Sequence, residues 1–334
     1  VVPFTPTVSV VVAVYNGAEI IGDCLKSLLQ QNYPAHLYEI IVVENGSTDN
    51  TAEIISNYPV KSVCCRQRGV AIARNLGVAQ SQAEIIAFTD ADCRADSQWL
   101  AELVKPYAAA PEIGGVGGAI LAYKHPGRSL IEMFSDDHSP LVNFCVDANH
   151  EFLPRLYTAN ASYRRELFNQ IDGFHPHLIT GQDVDFSWRL QLQTGCKLQY
   201  APAAIIYHHH RATKTGLARQ YRRYGFGEIL LDTIYAHQPG YPRGRKVQLL
   251  RIMCQVAALF RYILSMVIRQ IRLIRGRITL YEAKFPVMMF LIESYNILGK
   301  LEGLIATRFM TDTKAVLNIN NVHLIDRLFS KHKE

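Results

Sequence analysis

The sequence predicts an α/β fold: a mostly parallel, doubly wound sheet followed by a helical region. Apolar, β-branched runs alternate with helical stripes through the first quarter of the chain, the order that builds parallel sheets with right-handed crossovers. One of those runs, Ile85–Thr89, closes in Asp90-Ala91-Asp92, and open α/β sheets gather ligands at the carboxyl ends of their strands. Charge divides the chain in two. Residues 1–215 hold 16 Lys and Arg against 21 Asp and Glu, while residues 216–334 hold 19 against 8. The first part is thus acidic by 5 and the second basic by 11, an asymmetry that points to an anionic surface or ligand for the second.

The strands and helices follow in order. Val8–Val14 is a β-branched run and reads as the first strand. The uncharged opening Val1–Ala18 lacks a basic start and contains Pro3, Pro6 and Asn16, so it reads as an extended lead-in and a strand rather than a signal peptide. Ile20, Ile21, Cys24, Leu25, Leu28 and Leu29 make a helical stripe. Glu39–Val43 is the next strand, closed by Glu44-Asn45-Gly46-Ser47-Thr48-Asp49, which has turn chemistry and then a helix cap. Val60–Cys64 is a short strand, Gly69 precedes a helix over 70–80, and Ile85–Thr89 is the strand already named. Residues 98–109 read as helix and 114–122 as a Gly-rich strand. Residues 124–154 show no period and read as loops near the cleft. Lys197–Tyr200 and Ala203–Tyr207 read as two further strands. The 334 residues, 49% hydrophobic, suffice for a large core and an appendage and exclude general disorder. Seven cysteines without a CxxC make no disulfide framework and suit a reducing compartment.

Three places carry chemistry. Side chains at i and i+2 of a strand share a face, so Asp90 and Asp92 emerge together, and two adjacent carboxylates repel unless a cation lies between them. Hard oxygen donors at an open site suit Mg2+ or Mn2+ shared with a substrate's phosphates; a solvated turn is the plain alternative. Gly181-Gln182-Asp183-Val184-Asp185 has the form of a helix N-terminus. Its two acids lie about 200° apart on a helix, so only one faces a given cleft. His208-His209-His210 follows a strand. Alternation lets His208 and His210 share a face, and a neutral imidazole there can ligate a metal.

Together these stretches resemble the family-2 glycosyltransferases of GT-A fold, over roughly the first two-thirds of the chain. Val8 through Gly17 resembles the family's opening strand, with Ala13 where Pro is usual. Val42-Val43-Glu44-Asn45-Gly46-Ser47-Thr48-Asp49 resembles its second motif, with Glu44 and Asn45 where two Asp are common. Gly69 through Arg74-Asn75 resembles the third, and Asp90-Ala91-Asp92 the metal motif. Asn160 to Phe174 resembles the acceptor-side segment, Gln182-Asp183-Val184-Asp185 the catalytic-base motif and Tyr207-His208-His209-His210-Arg211 the strand end that supplies a metal-ligating His.

The resemblance implies a catalytic domain over 1–215, binding nucleotide-sugar over about 1–122 and acceptor over about 123–215. It implies a donor site of Ala13, Tyr15, Glu44, Gly69, Arg74, Asp90, Ala91 and Asp92, with Glu44 on the base, uracil being the expected one. It implies Mn2+ or Mg2+ held by Asp92, His208 and Asp90, and Asp183 as general base in a single inverting displacement. Asp185, Asp136 and Asp137 are expected to serve the framework. Gln220-Tyr221-Arg222-Arg223-Tyr224 resembles the Gln-x-x-Arg-Trp motif of processive synthases, with Tyr224 in place of Trp, so Arg222 or Arg223 is expected at the diphosphate.

Residues 216–334 are expected to be a helical, basic, membrane-associating region. In residues 247–275, Arg251, Arg261, Arg269, Arg272 and Arg275 project within about a third of a helix circumference. No charge-free apolar run reaches the roughly 18 residues of a spanning helix, so an amphipathic helix in the interface of an anionic membrane is expected. A helical subdomain packed on the catalytic part or on a second subunit is the alternative, and homo-oligomerisation is left open. The expected protein is therefore a hexosyltransferase on the cytoplasmic face of a membrane, peripheral or monotopic. It would act on a lipid-linked or polysaccharide acceptor, with no nucleic-acid partner. Alternatives are a processive polysaccharide synthase, a nucleotidyltransferase and a non-catalytic nucleotide-sugar-binding protein. The nucleotidyltransferase reading lacks its Gly-rich opening after the first strand, and the intact Asp90, Asp92 and Asp183 argue against the non-catalytic one.

Overall fold

The computed structural model describes residues 5–139, 141, 152–241 and 245–308. The chain divides into two compact units, Val1–Lys124 with Ser139–His210 and His125–His138 with Arg211–Glu334. The ends of the expected regions, 1–4 and 309–334, and residues 140, 142–151 and 242–244 lie outside the described residues.

The first unit is built on one sheet. Its strands are β1 (Val8–Val14), β2 (Tyr38–Glu44), β3 (Lys61–Cys64), β4 (Ile85–Asp90), β5 (Cys93–Ala95), β6 (Ile113–Ala122), β7 (Asn160–Arg164) and β8 (Lys197–His208). They lie in the order β3-β2-β1-β4-β7-β6-β8-β5. β1 pairs in parallel with β2 and β4, β2 with β3, and β6 with β8, while β7 runs antiparallel between β4 and β6 and β5 antiparallel to β8. The fold is thus α/β with a mostly parallel sheet of GT-A type, as the sequence leads one to expect.

Both faces of the central strands are covered, which is why those strands read as continuous apolar runs. Val8, Val10, Val12 and Val14 of β1 face one side, packing with α1 (Ile21–Leu29) and α4 (Trp99–Ala109) through Leu25, Leu28, Trp99 and Leu103. Val11 of β1 and Phe88 of β4 face the other side, packing with α3 (Val70–Ala79), α6 (Arg165–Gln170) and α7 (Gln182–Thr194) through Val78, Phe168, Phe186 and Leu190. Each such side chain contributes roughly 1.5–3 kcal/mol on burial. A sixth helix of this unit, α2 (Thr51–Ser56), adds Ile55 to the first side. This layering puts α3 and α7, the carriers of Arg74 and Asp183, on the same face.

The sequence expectations need correction at several elements. β5 and β7 have no counterpart among the expected strands, and the two strands expected at 197–207 are one, β8, with an irregularity opposite Gly118/Ala119 of β6. Gly118 is required there, because a Cβ would come 2.1 Å from the Ala204 carbonyl oxygen. Residues 124–154 are not all loop: α5 (Leu130–His138) lies among them and belongs to the second unit.

The second unit also contains α8 (Lys214–Tyr235), α9 (Arg245–Ile274) and α10 (Leu280–Ala306). α8 and α10 cross with their backbones touching: a Cβ on Gly225 would lie 2.0 Å from the Asn296 oxygen, and one on Gly299 1.9 Å from the Arg222 oxygen. Arg222 donates to Glu302 through Nε at 2.8 Å, and Lys300 pairs with Glu228 at 2.9 Å. Gln255 of α9 donates to Glu293 at 2.7 Å and Asn296 at 3.0 Å. Asp136 and Asp137 are engaged by Arg128 and by the Tyr281 hydroxyl.

On α9 the spanning criterion also differs from expectation. Val247–Ile274, 28 residues, is long and apolar enough to cross a membrane by length and composition. The charge-free test misses it, because Arg251, Arg261, Arg269 and Arg272 interrupt the apolar run. The helix exposes Met253, Phe260 and Leu264 at 67%, 70% and 63%.

Candidate active site

Parallel register assembles the site. Ala13 lies level with Val43 and Asp90, and Val14 with Glu44, so three strand ends reach one edge of the sheet together. The loops beyond them are tied by side chains. Asn45 donates through Nδ2 to the carbonyls of Cys65 and Gln67 at 3.1 and 2.7 Å and accepts from Gly69 N at 2.9 Å. Gly69 itself has φ +141°, a conformation that strains any residue with a Cβ. It starts α3 and so aims Arg74. Asn16, at φ 49°, accepts from Thr48 N at 2.8 Å. Glu44 is buried and accepts from Ser47 N. Tyr15 is exposed, and the Arg68 guanidinium stacks 3.9 Å from its ring centre.

Arg74 is buried and donates to Asp90 across 2.6 Å. Its Nε and Nη1 are buried without a hydrogen-bond partner among the described residues. A guanidinium has five N–H donors, so Arg74 keeps donor capacity beyond Asp90.

Asp183 lies in the first turn of α7, half-buried, its carboxylate accepting from Val184 N at 2.9 Å. Burial pushes its carboxyl above the ordinary Asp range. The Arg74 charge and that backbone bond oppose the shift, and the Asp90 charge adds a little to it. Asp185 is turned the other way. It is buried and pairs with Arg189 at 2.8 Å, and Arg189 also donates to the carbonyls of Ile171 and Gly173. The two acids therefore divide as helical spacing requires, one toward the Arg74 side and one into the frame. Asn75, next to Arg74, exchanges hydrogen bonds of 2.7 and 3.0 Å with Phe174, binding α3 to the turn ahead of α7. Asn160, which opens the segment resembling the acceptor side, is bonded inside the sheet. It accepts from Trp99 Nε1 and donates to the carbonyls of Ala119 and Ala204.

Just beyond the end of β4, His208 Nε2 lies 3.6 Å from Asp92 Oδ1. His209 N donates to the Asp92 carbonyl at 2.9 Å, pinning the two segments together. The gap is too long for a hydrogen bond and close to the spacing of two donors on one ion. His208 Nδ1 is buried without a hydrogen-bond partner among the described residues. A carboxylate and a buried imidazole fit a divalent ion, with the remaining positions open to phosphate oxygens and water. Asp90 stands on the Arg74 side of this group. Ala91 is buried between the two acids. His210 contacts His208 ring to ring, with centres 5.2 Å apart.

Sequence reading missed Cys93. Its sulfur, an Asp92 oxygen and a His208 nitrogen all lie within 4.8 Å of one another. Burial, with the charges of Asp92 and Asp90 beside it, holds the Cys93 thiol well above its ordinary pKa. No local pattern could have shown this residue; only the cross-strand pairing of β5 with β8 does. Of the two arginines expected at a diphosphate, Arg222 is held by Glu302 within the helical unit, and Arg223 is exposed on α8.

The family model described as Glycosyl transferase family 2 matches residues 9–171. The chain is 32% identical over 239 residues to the glycosyltransferase AglE of Haloferax volcanii, covering 69% of this chain and 76% of that protein. It is 27% identical over 239 residues to a poly-β-1,6-N-acetyl-D-glucosamine synthase of Staphylococcus epidermidis, of which it spans 57%. It is 25% identical to a dolichyl N-acetyl-α-D-glucosaminyl phosphate 3-β-D-2,3-diacetamido-2,3-dideoxy-β-D-glucuronosyltransferase of Methanococcus voltae, over 89% of this chain and 97% of that one. Among solved structures, a mannosyltransferase, PcManGT, from Pyrobaculum calidifontis in complex with GDP-Man and Mn2+ superposes with a TM-score of 0.52 at 19% identity. It covers 99% of this chain and 82% of that chain, a likeness of fold.

Proposed function

Since this chain belongs to the family-2 glycosyltransferases, we propose that it moves a sugar from a UDP-sugar to a hydroxyl of a lipid-linked or polysaccharide acceptor at a membrane surface, with inversion at the anomeric carbon. The observation that carries this reading is the juxtaposition, at one end of the sheet, of an Arg74–Asp90 pair, an Asp92–His208 pair and a carboxylate, Asp183, whose proton affinity burial has raised.

Each residue has a distinct task in this reading. Glu44, Tyr15, Ala13 and the loop at Gly69 receive the nucleotide, and Asp90, oriented by Arg74, receives the ribose. Asp92 and His208 would hold Mn2+ or Mg2+, with Asp90 close by. When bound, such an ion neutralises the charge that builds on the departing diphosphate. Arg74, with donors to spare, adds positive charge for the same leaving group. Asp183 takes the proton of the acceptor hydroxyl as that oxygen attacks from the face opposite the diphosphate; a carboxyl raised above its ordinary pKa is a better proton acceptor at neutral pH. A single displacement gives inversion.

The acceptor class draws support from the Methanococcus voltae relative, whose name specifies a lipid-linked phosphate and whose match runs nearly end to end. A membrane site draws support from α9. Its exposed Met253, Phe260, Leu264, Val267 and Ile271 project opposite the buried Ile252, Gln248 and Ala258. Exposed Arg261, Arg272 and Arg275 run along one side of that stripe. Apolar burial and attraction to anionic headgroups act together on such a helix. A processive synthase is the second reading, drawn from the Staphylococcus epidermidis relative and from Gln220–Tyr224; the length of the product distinguishes the two.

The test is a screen of nucleotide-sugars for release of nucleoside diphosphate by the full chain, with and without Mn2+. The proposal expects release from a UDP-sugar that EDTA abolishes. Failure of every nucleotide-sugar to turn over, while UDP still binds, would support a non-catalytic binding protein.

A further inference from the structure

We propose that Asp92, Cys93 and His208 form a three-donor site for a thiophilic divalent ion, Zn2+, Co2+ or Cd2+, which binds through the Cys93 sulfur and needs no nucleotide. The inference rests on the reading that Asp92 and His208 hold a divalent ion and extends it to a ligand of different chemistry.

The placement follows from pairing. β5 is three residues long and antiparallel to β8, with Cys93 directly opposite His208. Directly opposed residues on paired strands project to the same face. Asp92 precedes Cys93, and its carbonyl is pinned by His209 N at 2.9 Å. The three donor atoms already lie within 4.8 Å of one another. Zinc bonds of about 2.0–2.3 Å need them about 1 Å closer, a matter of side-chain rotation. Cys93 is 2% exposed, so the third donor comes from the interior side of the site, away from the strand ends where phosphates would arrive.

Softness then separates two kinds of ion. Carboxylate, imidazole and thiolate together form a zinc-type set, whereas Mg2+ and Mn2+ prefer oxygen and leave a thiol alone. An oxygen-seeking ion at Asp92 and His208 leaves the thiol unused and draws its remaining ligands from oxygen donors, phosphate and water among them. A thiophilic ion gains a third bond: the Cys93 S–H proton leaves to solvent as the sulfur–metal bond forms, with no change in oxidation state. Three protein donors hold such an ion without UDP.

The experiment uses the full chain carrying Cys64→Ser, Cys145→Ser and Cys254→Ser, titrated with Co2+ in the absence of nucleotide. The inference expects one equivalent of Co2+ bound, with a near-ultraviolet thiolate-to-cobalt band that Cys93→Ser removes and Cys24→Ser keeps. Zinc X-ray absorption on the same protein, with no change at Cys93, should show a sulfur neighbour at about 2.3 Å. Oxygen and nitrogen neighbours alone, or a band that survives Cys93→Ser, overturns the inference. Should Mn2+-dependent UDP binding still require Asp92 in that case, only the thiol ligand fails. Failure of Co2+, Zn2+ and Mn2+ alike to bind, with or without UDP, removes the underlying metal reading as well.

Discussion

Asp183 and Asp185 stand two residues apart and do different work. Asp185 is buried against Arg189, whose remaining donors hold the 171–173 turn, so Asp185→Asn should lower stability, with the thermal midpoint as its measure. Asp183→Asn keeps shape and the Val184 bond but removes proton affinity. Transfer should fall by roughly two to four orders of magnitude while UDP binding persists; near-normal turnover would sink the assignment as base. A second consequence concerns pH. Folding raises the Asp183 pKa, so the folded chain holds that proton more tightly than the unfolded chain does. The stability this provides is complete below the unfolded pKa and is lost as pH rises through the folded value. Asp183→Asn should therefore raise the melting temperature at neutral pH, and the gain should vanish below the ordinary Asp range. A gain that is equal at both pH values would mean that titration is not its cause. The acid limb of the activity profile should likewise lie above the usual carboxylate range.

At the scale of elements, the sequence was legible where one physical cause dominated. Strands buried on both faces must be apolar throughout, so β1, β2 and β4 stood out, and with them the strand ends that carry Glu44, Asp90 and Asp92. The order of motifs then placed Arg74, Asp183 and His208. β7 was hidden because its position in mid-sheet is held by polar contacts: Asn160 bonds three partners and Ser162 bonds Tyr107 and Val116. β5 was hidden by brevity, and the thiol of Cys93 with it. α10 was hidden by Pro286, which lacks the N–H that would bond the Glu282 carbonyl. Arg269 Nη1 donates to that carbonyl instead, at 2.7 Å, so an arginine expected at the lipid surface serves the fold. The glycine crossing of α8 on α10 was equally silent, because small residues signal contact only once a partner is known. Gly299→Ala must push apart two backbones that a Cβ would approach to 1.9 Å. It should cost about 1–3 kcal/mol or more by chemical denaturation, and an unchanged midpoint would contradict the crossing.

At the scale of the whole molecule, one chain carries both a nucleotide-sugar-binding unit and a basic helical unit. The full chain should float with anionic liposomes and be partly released by high salt, since each basic residue at an anionic leaflet contributes roughly 1 kcal/mol and salt screens it. Replacing Arg261, Arg272 and Arg275 with Glu should weaken flotation, and Phe260→Asp should weaken the part that salt leaves. Equal recovery of all variants would favour a protein partner for that face. The central claim, that Asp92 holds a divalent ion on which the donor nucleotide depends, is tested most directly by calorimetric titration of UDP into the full chain. The account predicts binding with Mn2+ that is lost in EDTA and in Asp92→Ala and is kept in Asp183→Asn. Unchanged UDP affinity of Asp92→Ala with Mn2+ present would contradict it.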